Sequence, residues 1–290
     1  MIVTRFAPSP TGLLHLGHAF AALTAFDVAG KTGGRFLLRI EDIDKARCRT
    51  EFEVAILNDL AWLGLVWERP VRRQSEHFEL YKQSLERLEA AELLYPCFCT
   101  RREIAYEIAR ASGAPHLDQQ GVEGLLYPGT CRALSVAQRS ERRASGAPYA
   151  LRIDTEKASL IAGPLTFQER GHGPNGESGG QKVKPELLGD VVLARKEMPA
   201  SYHLAVVVDD ALQGVNLVTR GEDLFHATHI QRLLQCLLTL PEPNYTHHRL
   251  ITDSEGKKIS KRNTSVTLRA LRESGTRLDE IRSQFQLTVE

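Results

Sequence analysis

The chain has 290 residues, of which 42% are hydrophobic and 25% charged, as in an ordinary globular protein. This composition excludes a disordered, collagen-like or coiled-coil chain, and the length predicts about two domains. The 37 basic and 36 acidic residues nearly cancel, so the net charge does not indicate a nucleic-acid partner. No apolar run reaches the ~18 residues of a membrane span, and the N-terminus lacks the layout of a secretory signal. We therefore expect a cytoplasmic protein.

The first forty residues predict a βαβ unit. Residues 2–6 form a short β-type run, a Pro/Gly loop follows, and apolar residues recur at helical spacing from Leu16 to Phe26. Another apolar run at residues 36–40 predicts a buried strand. Because strand, helix and strand follow one another so closely, we predict an α/β fold with a doubly wound parallel sheet.

Two further helices are predicted at residues 52–63 and 78–88, and the amino-acid composition changes after them. Residues 96–189 are richer in Gly, Pro and charge, and we interpret them as a smaller α/β subdomain inserted into the main domain. The main domain then comprises residues 1–95 and 190–255, and residues 256–290 form a loop and a short helical tail. Within the second half, apolar runs at 204–208 and 215–218 predict strands, and residues 230–238 predict a helix.

Two histidines flank a glycine where the first predicted helix begins, in His15-Leu16-Gly17-His18. The N–H groups and the dipole of a helix N-terminus attract anions, and a glycine lets a nucleotide approach the backbone closely. The motif therefore indicates a phosphate-binding site. A helix start with two surface histidines is an equally good interpretation of this motif alone.

A basic segment follows Gly256, with the sequence Lys257-Lys258-Ile259-Ser260-Lys261-Arg262. Lysines and a serine in a mobile loop can clamp the phosphates of ATP and stabilise a charged transition state. Taken alone, the segment is more often a solvated basic loop.

Charged residues follow the predicted strands. Glu41, Asp42 and Asp44 come directly after the strand at 36–40, and Arg220 follows the strand at 215–218. The carboxyl ends of parallel strands form the ligand-binding edge of a doubly wound sheet. These residues are therefore candidates for a binding site, although polar turns and surface charges would explain each of them singly.

Three of the five cysteines, Cys97, Cys99 and Cys131, are candidates for a metal site. A C-x-C pair followed some 30 residues later by another cysteine suggests structural zinc, which takes four ligands. His116 is the ordinary choice for the fourth ligand and Tyr127 an unusual one. Free thiols are the alternative, and the odd number of cysteines argues against a disulfide framework.

Together, the histidine motif and the basic segment resemble class I aminoacyl-tRNA synthetases of the glutamyl/glutaminyl branch. The resemblance includes the loop RFAPSPTG at residues 5–12, HLGH, and KISKR at residues 258–262. Leu16 replaces the isoleucine of the HIGH motif, and Ile259 and Arg262 replace the methionine and final serine of KMSKS. The resemblance implies a Rossmann-like catalytic domain that uses ATP and Mg²⁺, with His15, His18 and Lys261 catalytic. It also implies an ATP site formed by His15, Gly17, His18, Lys258, Ser260 and Lys261.

The resemblance further implies a pocket for L-glutamate, formed by Arg5, Ala7, Ser9, Glu41, Tyr202 and Arg220. Glu41 would bind the substrate ammonium, and the two arginines would bind the two carboxylates in an order that the sequence leaves open. For the metal, the resemblance favours Tyr127 over His116, because a C-x-C…Y-x-x-x-C layout recurs in a small relative of the glutamyl-tRNA synthetases. We therefore expect one structural Zn²⁺ held by Cys97, Cys99, Tyr127 and Cys131.

Within this branch, the chain is most similar to the glutamyl-Q tRNA(Asp) synthetases. Residues 263–290 leave no room for the anticodon-binding region of a full-length glutamyl-tRNA synthetase. The resemblance implies that glutamate is activated with ATP and transferred to queuosine in the anticodon loop of tRNA(Asp), and we expect a monomer without a membrane partner. The alternatives are a truncated synthetase acting on the tRNA 3′ end, a small-molecule nucleotidyltransferase, and an inactive RNA-binding relative.

Overall fold

The computed structural model describes residues 1–111, 120–121, 124–196, 198–251 and 266–285. Its strands are β1 (Val3–Phe6), β2 (Arg35–Ile40), β3 (Arg72–Arg73), β4 (Leu94–Cys97), β5 (Gln120–Gly121), β6 (Gly124–Leu125), β7 (Ala150–Ile153), β8 (Thr166–Glu169), β9 (Gly179–Lys182), β10 (Val192–Arg195), β11 (Leu217–Gly221) and β12 (Asn244–His248). Its α-helices are α1 (Leu16–Lys31), α2 (Thr50–Trp62), α3 (Phe78–Ala90), α4 (Arg101–Ala111), α5 (Val136–Ala144), α6 (Thr155–Ala162), α7 (Tyr202–Gln213), α8 (Ala227–Leu237), α9 (Leu268–Glu273) and α10 (Leu278–Gln284).

A parallel sheet carries the carboxyl ends of β1, β2 and β11 on one edge. Strands β1, β2 and β3 pair in parallel, and so do β11, β12 and β8, with β9 antiparallel at the outside. The two groups meet where the Asn216 N–H donates to the Val3 carbonyl and the Val3 N–H donates to the Asn216 side chain. Buried residues of α1, such as Phe20 and Leu23, pack into the core. The predicted α/β fold with a parallel sheet is confirmed.

The prediction of a strand at residues 204–208 is wrong, because these residues lie inside helix α7. Seven of the twelve residues of this helix, Leu204 to Asp210, are buried in succession. A helix buried on all sides has an unbroken apolar run instead of a 3.6-residue period, so its sequence is indistinguishable from that of a buried strand. The helix ends at Gly214, whose φ of 68° is left-handed, as at many helix C-termini.

A second, antiparallel sheet has the strand order β10-β7-β4. Strand β7 lies inside the predicted insertion, β10 lies outside it, and β4 crosses its boundary at residue 95. The β8–β9 hairpin lies within the predicted insertion, yet it pairs with β12 of the parallel sheet through Glu169 and Tyr245. The domain boundaries at residues 95 and 190 therefore stay a prediction, and the pairing of the strands does not coincide with them.

No helix in the part of the chain that the structure describes has both the length and the apolar character needed to cross a membrane.

Candidate active site and metal centre

The histidine motif forms the N-terminal cap of helix α1. The Gly17 N–H donates to Nδ1 of His15 at 3.1 Å, and the His15 N–H donates to Nδ1 of His18 at 3.2 Å. This reciprocal arrangement has the same form as a capping box. Because each Nδ1 accepts a hydrogen bond, a neutral ring carries its proton on Nε2. Two imidazole donors thus lie beside a helix N-terminus, which is an arrangement suited to phosphate.

The cap leaves little room for a side chain at position 17. A Cβ atom at this position would lie 3.0 Å from Cε1 and 3.2 Å from Nδ1 of His15. The ring would have to shift by a few tenths of an ångström, which would strain the hydrogen bond that it accepts. The predicted phosphate-binding residues His15, Gly17 and His18 therefore come together in one local structure.

Both ends of the segment that contains the basic motif lie against the start of α1. The segment is preceded by Arg249, whose guanidinium lies over the Phe20 ring with its centre 5.4 Å from the ring centroid. It is followed by Thr267, which forms an antiparallel bridge with His15, and by Leu268, whose N–H donates to the Leu14 carbonyl at 2.8 Å. The predicted residues Lys258, Ser260 and Lys261 themselves lie outside the described residues.

A buried cluster of charges lies at the ends of β1 and β2. Arg5 donates from Nε to Asp210 at 3.0 Å and from Nη1 to the Thr219 carbonyl at 3.1 Å. Arg39 donates from Nη1 to Asp210 at 2.8 Å and from Nη2 to Glu41 at 3.2 Å. The cluster thus alternates guanidinium and carboxylate groups, and it brings the predicted residues Arg5 and Glu41 into one network.

Burial and charge act in opposite directions on the two carboxylates of this cluster. Burial raises the pKa of Glu41 above its ordinary value, although Arg39 and Arg5 oppose the shift. Burial also acts to raise the pKa of Asp210, but the charges of Arg5 and Arg39 outweigh it and hold that pKa below its ordinary value. Asp210 is therefore the more firmly ionised of the two, and Glu41 would gain from a further positive charge beside it.

The loop after β1 places Ala7 and Ser9 next to the same cluster. The Glu41 N–H donates to the Pro8 carbonyl at 3.0 Å, which fastens this loop to the end of β2. The Ser9 hydroxyl lies 3.7 Å from Sγ of Cys48. The four predicted residues Arg5, Ala7, Ser9 and Glu41 thus belong to one loop-and-strand edge.

Arg220 at the end of β11 donates four described hydrogen bonds. It donates to the Tyr202 hydroxyl at 3.2 Å, to Gln231 at 2.7 Å, to Thr228 at 2.7 Å and from Nε to Nε2 of His247 at 3.0 Å. These contacts use four of the five guanidinium N–H groups. Because the Tyr202 oxygen accepts from Arg220, its own O–H can donate elsewhere. One Nη2 N–H and the tyrosine O–H are thus the donors that these hydrogen bonds leave unused.

Several residues of this site were not found from the sequence. Asp209 and Asp210 were given no individual role from the sequence, and their side chains are 0% and 7% exposed. Asp209 accepts from Arg72 at 2.7 Å and from Gln74 at 2.8 Å. The available signal was the placement of two adjacent carboxylates directly after five apolar residues, which is unusual for a surface turn.

The three cysteines predicted as metal ligands lie together with Tyr127. The Sγ atoms of Cys97, Cys99 and Cys131 all lie within 4.8 Å of one another, and those of Cys99 and Cys131 are 3.4 Å apart. The Tyr127 hydroxyl lies 3.6 Å from Sγ of Cys99 and accepts from the Cys131 N–H at 2.8 Å. His116, the alternative fourth ligand, lies outside the described residues.

This cluster fits a tetrahedral zinc ion in its spacing and in its donor chemistry. Zinc–sulfur bonds of about 2.3 Å place tetrahedral sulfurs about 3.8 Å apart, close to the observed spacing. Burial raises the pKa of the Cys99 thiol to about 12, whereas burial of Cys131 is outweighed by hydrogen bonds from Tyr127 and the Phe98 N–H, which lower its pKa. Thiol and phenol groups that crowd one another in this way are satisfied by a bound cation, which replaces their protons.

The chain matches known proteins over nearly its whole length. The family model of the class I tRNA synthetases (E and Q), catalytic domain, matches residues 1–283. A glutamyl-Q tRNA(Asp) synthetase of Rhodobacter capsulatus is 48% identical, over 97% of this chain and 98% of the relative. One from Symbiobacterium thermophilum is 43% identical, over 95% of this chain and 83% of the relative.

Two solved structures share the fold. A glutamate tRNA ligase from Elizabethkingia meningosepticum in complex with its amino acid is 28% identical, with a TM-score of 0.72, over 90% of this chain and 52% of that chain. The glutamate-tRNA synthetase from Elizabethkingia anophelis has the same identity and coverage, with a TM-score of 0.74. This chain therefore spans about half the length of the two solved proteins. From the family model and the curated relatives, the chain belongs to the glutamyl-Q tRNA(Asp) synthetases, within the class I tRNA synthetases for glutamate and glutamine.

Proposed function

We propose that this protein activates L-glutamate with ATP and transfers the glutamyl group to queuosine in the anticodon loop of tRNA(Asp). The observation that carries the activation step is the charge set around the sheet edge. Two buried arginines and a carboxylate of raised pKa complement the two carboxylates and the ammonium of glutamate. The names of the relatives that are 39% to 48% identical support queuosine in tRNA(Asp) as the acceptor.

In this proposal, Arg5 and Arg220 bind the two carboxylates of glutamate, and Tyr202 assists Arg220. Glu41 binds the ammonium, which would add a positive charge to that of Arg39 beside a carboxylate whose pKa burial raises. Ala7 and Ser9 line the same edge and orient the amino acid.

ATP binds across the start of helix α1. The Nε2 protons of His15 and His18 and the N–H groups of the helix N-terminus contact its phosphates, and Gly17 lets the nucleotide approach. Lys258, Ser260 and Lys261 complete the site from the basic segment, whose two ends lie beside α1. Mg²⁺ accompanies the phosphates as a charge-neutralising ion.

The chemistry consists of two displacements. An α-carboxylate oxygen of glutamate attacks the α-phosphorus of ATP, pyrophosphate leaves, and glutamyl-adenylate forms. His15, His18 and Lys261 stabilise the charge that develops on the phosphates, so that catalysis depends on position and electrostatics. A hydroxyl of the queuosine cyclopentene ring then attacks the activated carbonyl carbon, its proton is lost, and AMP leaves.

We further propose that Cys97, Cys99, Tyr127 and Cys131 hold one structural Zn²⁺. The ion would supply a cross-link between the end of β4 and the segment around Cys131 and would take no part in the reaction. We also propose a cytoplasmic monomer, with the catalytic domain at 1–95 and 190–255 and the subdomain at 96–189.

The test is the transfer of labelled glutamate, with ATP and Mg²⁺, to two tRNA pools. One pool comes from cells that make queuosine and the other from cells that cannot. Labelling of the queuosine-containing pool alone supports the proposal, and it should persist after removal of the 3′-terminal adenosine. Equal labelling of both pools, abolished by that removal, would show a synthetase acting on the 3′ end. No labelling of either pool would refute both activities.

A further inference from the structure

A buried acid–imidazole pair lies directly behind Arg220. Nδ1 of His247 is 2.6 Å from Oε2 of Glu169, and both side chains are 0% exposed. Nε2 of the same ring accepts from Nε of Arg220 at 3.0 Å. A single chain of hydrogen bonds thus runs from β8 through β12 to the guanidinium at the end of β11.

The surroundings of the carboxylate determine which ring nitrogen carries the proton. Oε1 of Glu169 accepts from the backbone N–H groups of His247 at 2.9 Å and Gly171 at 2.7 Å. The ionised carboxylate offers only acceptors, so Nδ1 of His247 must be the donor. A neutral ring then has a lone pair on Nε2, and this lone pair accepts from Arg220.

The charges on the pair agree with this assignment. Burial, helped by the charge of Arg220, lowers the pKa of His247 to about 4, although the bond to Glu169 opposes the shift. Burial of Glu169 acts to raise its pKa, but its hydrogen bonds with His247 outweigh burial and lower it. At neutral pH the pair is therefore an ionised carboxylate and a neutral imidazole.

We propose that Glu169 and His247 are positioning residues for Arg220, fixing the rotation of its guanidinium so that the Nη2 edge is presented to a glutamate carboxylate. The inference rests on the proposed function, because it assigns Arg220 to the amino-acid pocket. It also gives the β8–β9 hairpin a part in substrate binding, since this hairpin delivers Glu169 to the parallel sheet.

Glu169→Gln tests the proposal with almost no change in shape. The amide oxygen of the glutamine must stay where Oε1 receives two backbone N–H groups, so the amide NH₂ faces Nδ1 of His247. The ring must then carry its proton on Nε2, where it meets the Nε–H of Arg220, and the two donors repel each other. We expect the KM for glutamate in pyrophosphate exchange to rise roughly 10- to 100-fold, the scale of a misplaced positioning group. The KM for ATP should stay within about twofold of the wild-type value, because among the described residues no hydrogen bond or ring contact joins Glu169 or His247 to the start of α1.

Two further substitutions make the comparison specific. Glu177→Gln makes the same chemical change in the same hairpin. Apart from the backbone of Glu177 itself, the one described hydrogen-bond partner of this carboxylate is the exposed Asn175. The substitution should leave both KM values unchanged. His247→Gln retains an oxygen that can accept from Arg220, and it should keep a lower KM for glutamate than His247→Leu, which has no acceptor.

The proton position can be read directly in the wild-type enzyme. ¹⁵N NMR of protein with labelled histidine should show one neutral ring, assigned by its loss in His247→Gln, that carries its proton on Nδ1 between pH 6 and 8. A proton on Nε2, or a Glu169→Gln enzyme with wild-type KM for glutamate, would overturn the proposal. So would equal changes in both KM values. Absence of glutamate-dependent exchange in the wild type would instead refute the proposed function, while the NMR result would still decide the tautomer.

Discussion

Asp210→Asn should destabilise the protein strongly, because it removes the carboxylate that joins two buried arginines. Asp210 accepts from Arg5 at 3.0 Å and from Arg39 at 2.8 Å, and the three side chains are at most 7% exposed. The amide of asparagine can keep an oxygen at the position where Oδ1 accepts from both guanidinium groups, but it carries no charge to balance them. Breaking a buried ion pair by removing one partner costs about 3–5 kcal/mol in the free energy of unfolding.

This cost should be visible as a fall in melting temperature. At roughly 2–4 °C per kcal/mol for a chain of this size, we expect a decrease of about 6–20 °C at pH 7. The control is Glu68→Gln, which breaks the Arg35–Glu68 pair, where both N···O distances are 2.6 Å but the side chains are 40% and 45% exposed. Solvent screens that pair, so its loss should cost less than about 1 kcal/mol. Equal melting temperatures for the two variants would refute this reasoning.

The pH dependence of the unfolding free energy tests the same prediction independently. The pKa of Asp210 is lowered in the folded state, so its stabilising effect is present above the ordinary pKa of about 3.9 and is lost as the pH falls through the folded value. The difference in unfolding free energy between wild type and Asp210→Asn should therefore be full from pH 5 to 7 and shrink below about pH 4. Urea unfolding at several pH values measures it, and a difference that grows in acid would contradict the assignment.

Three further predictions concern the candidate sites. Gly17→Ala should raise the KM for ATP several-fold by displacing the capping histidine ring. Gly30→Ala, with open space at the other end of the same helix, should leave the KM for ATP unchanged. Pyrophosphate exchange measures both variants, and equal effects would contradict the steric argument. Cys131→Ser should lower the zinc content of the purified protein, measured by elemental analysis, while Cys236→Ser, outside the cluster, should retain it; unchanged zinc in both would place the metal elsewhere. Glu41→Gln should raise the KM for glutamate about tenfold or more without changing that for ATP, and an unchanged KM for glutamate would remove the carboxylate from the ammonium site.

The elements that the sequence predicts well are those whose signals are local. The helix predicted from Leu16 to Phe26 is observed at Leu16–Lys31, and the strand predicted at 36–40 is observed at Arg35–Ile40. In both cases the period of apolar residues and the adjacent Gly/Pro loop depend only on near neighbours. The histidine cap is local in the same sense, because its hydrogen bonds span two and three residues.

Helix α7 shows where periodicity stops being informative. Its residues Leu204 to Asp210 are buried on every side, so the alternation of apolar and polar residues that distinguishes helix from strand is absent. The surrounding core, which includes residues of α3 and α8, decides between the two structures, and that core is assembled from distant parts of the chain. The strand prediction put Asp209 and Asp210 just after a strand end, whereas both lie buried within the helix.

The residues that hold the candidate pocket in shape are less accessible to sequence reasoning than those that face it. Arginines that match the charges of a substrate can be proposed from chemistry and from a resemblance, as Arg5 and Arg220 were. Asp210, however, lies 205 residues from Arg5, and Glu169 lies 78 residues from His247. An isolated acidic residue is ordinarily a surface residue, because burying it without a partner is costly. Only the fold reveals that the partner is present. A sequence therefore indicates the groups that bind a substrate more readily than the groups that position them.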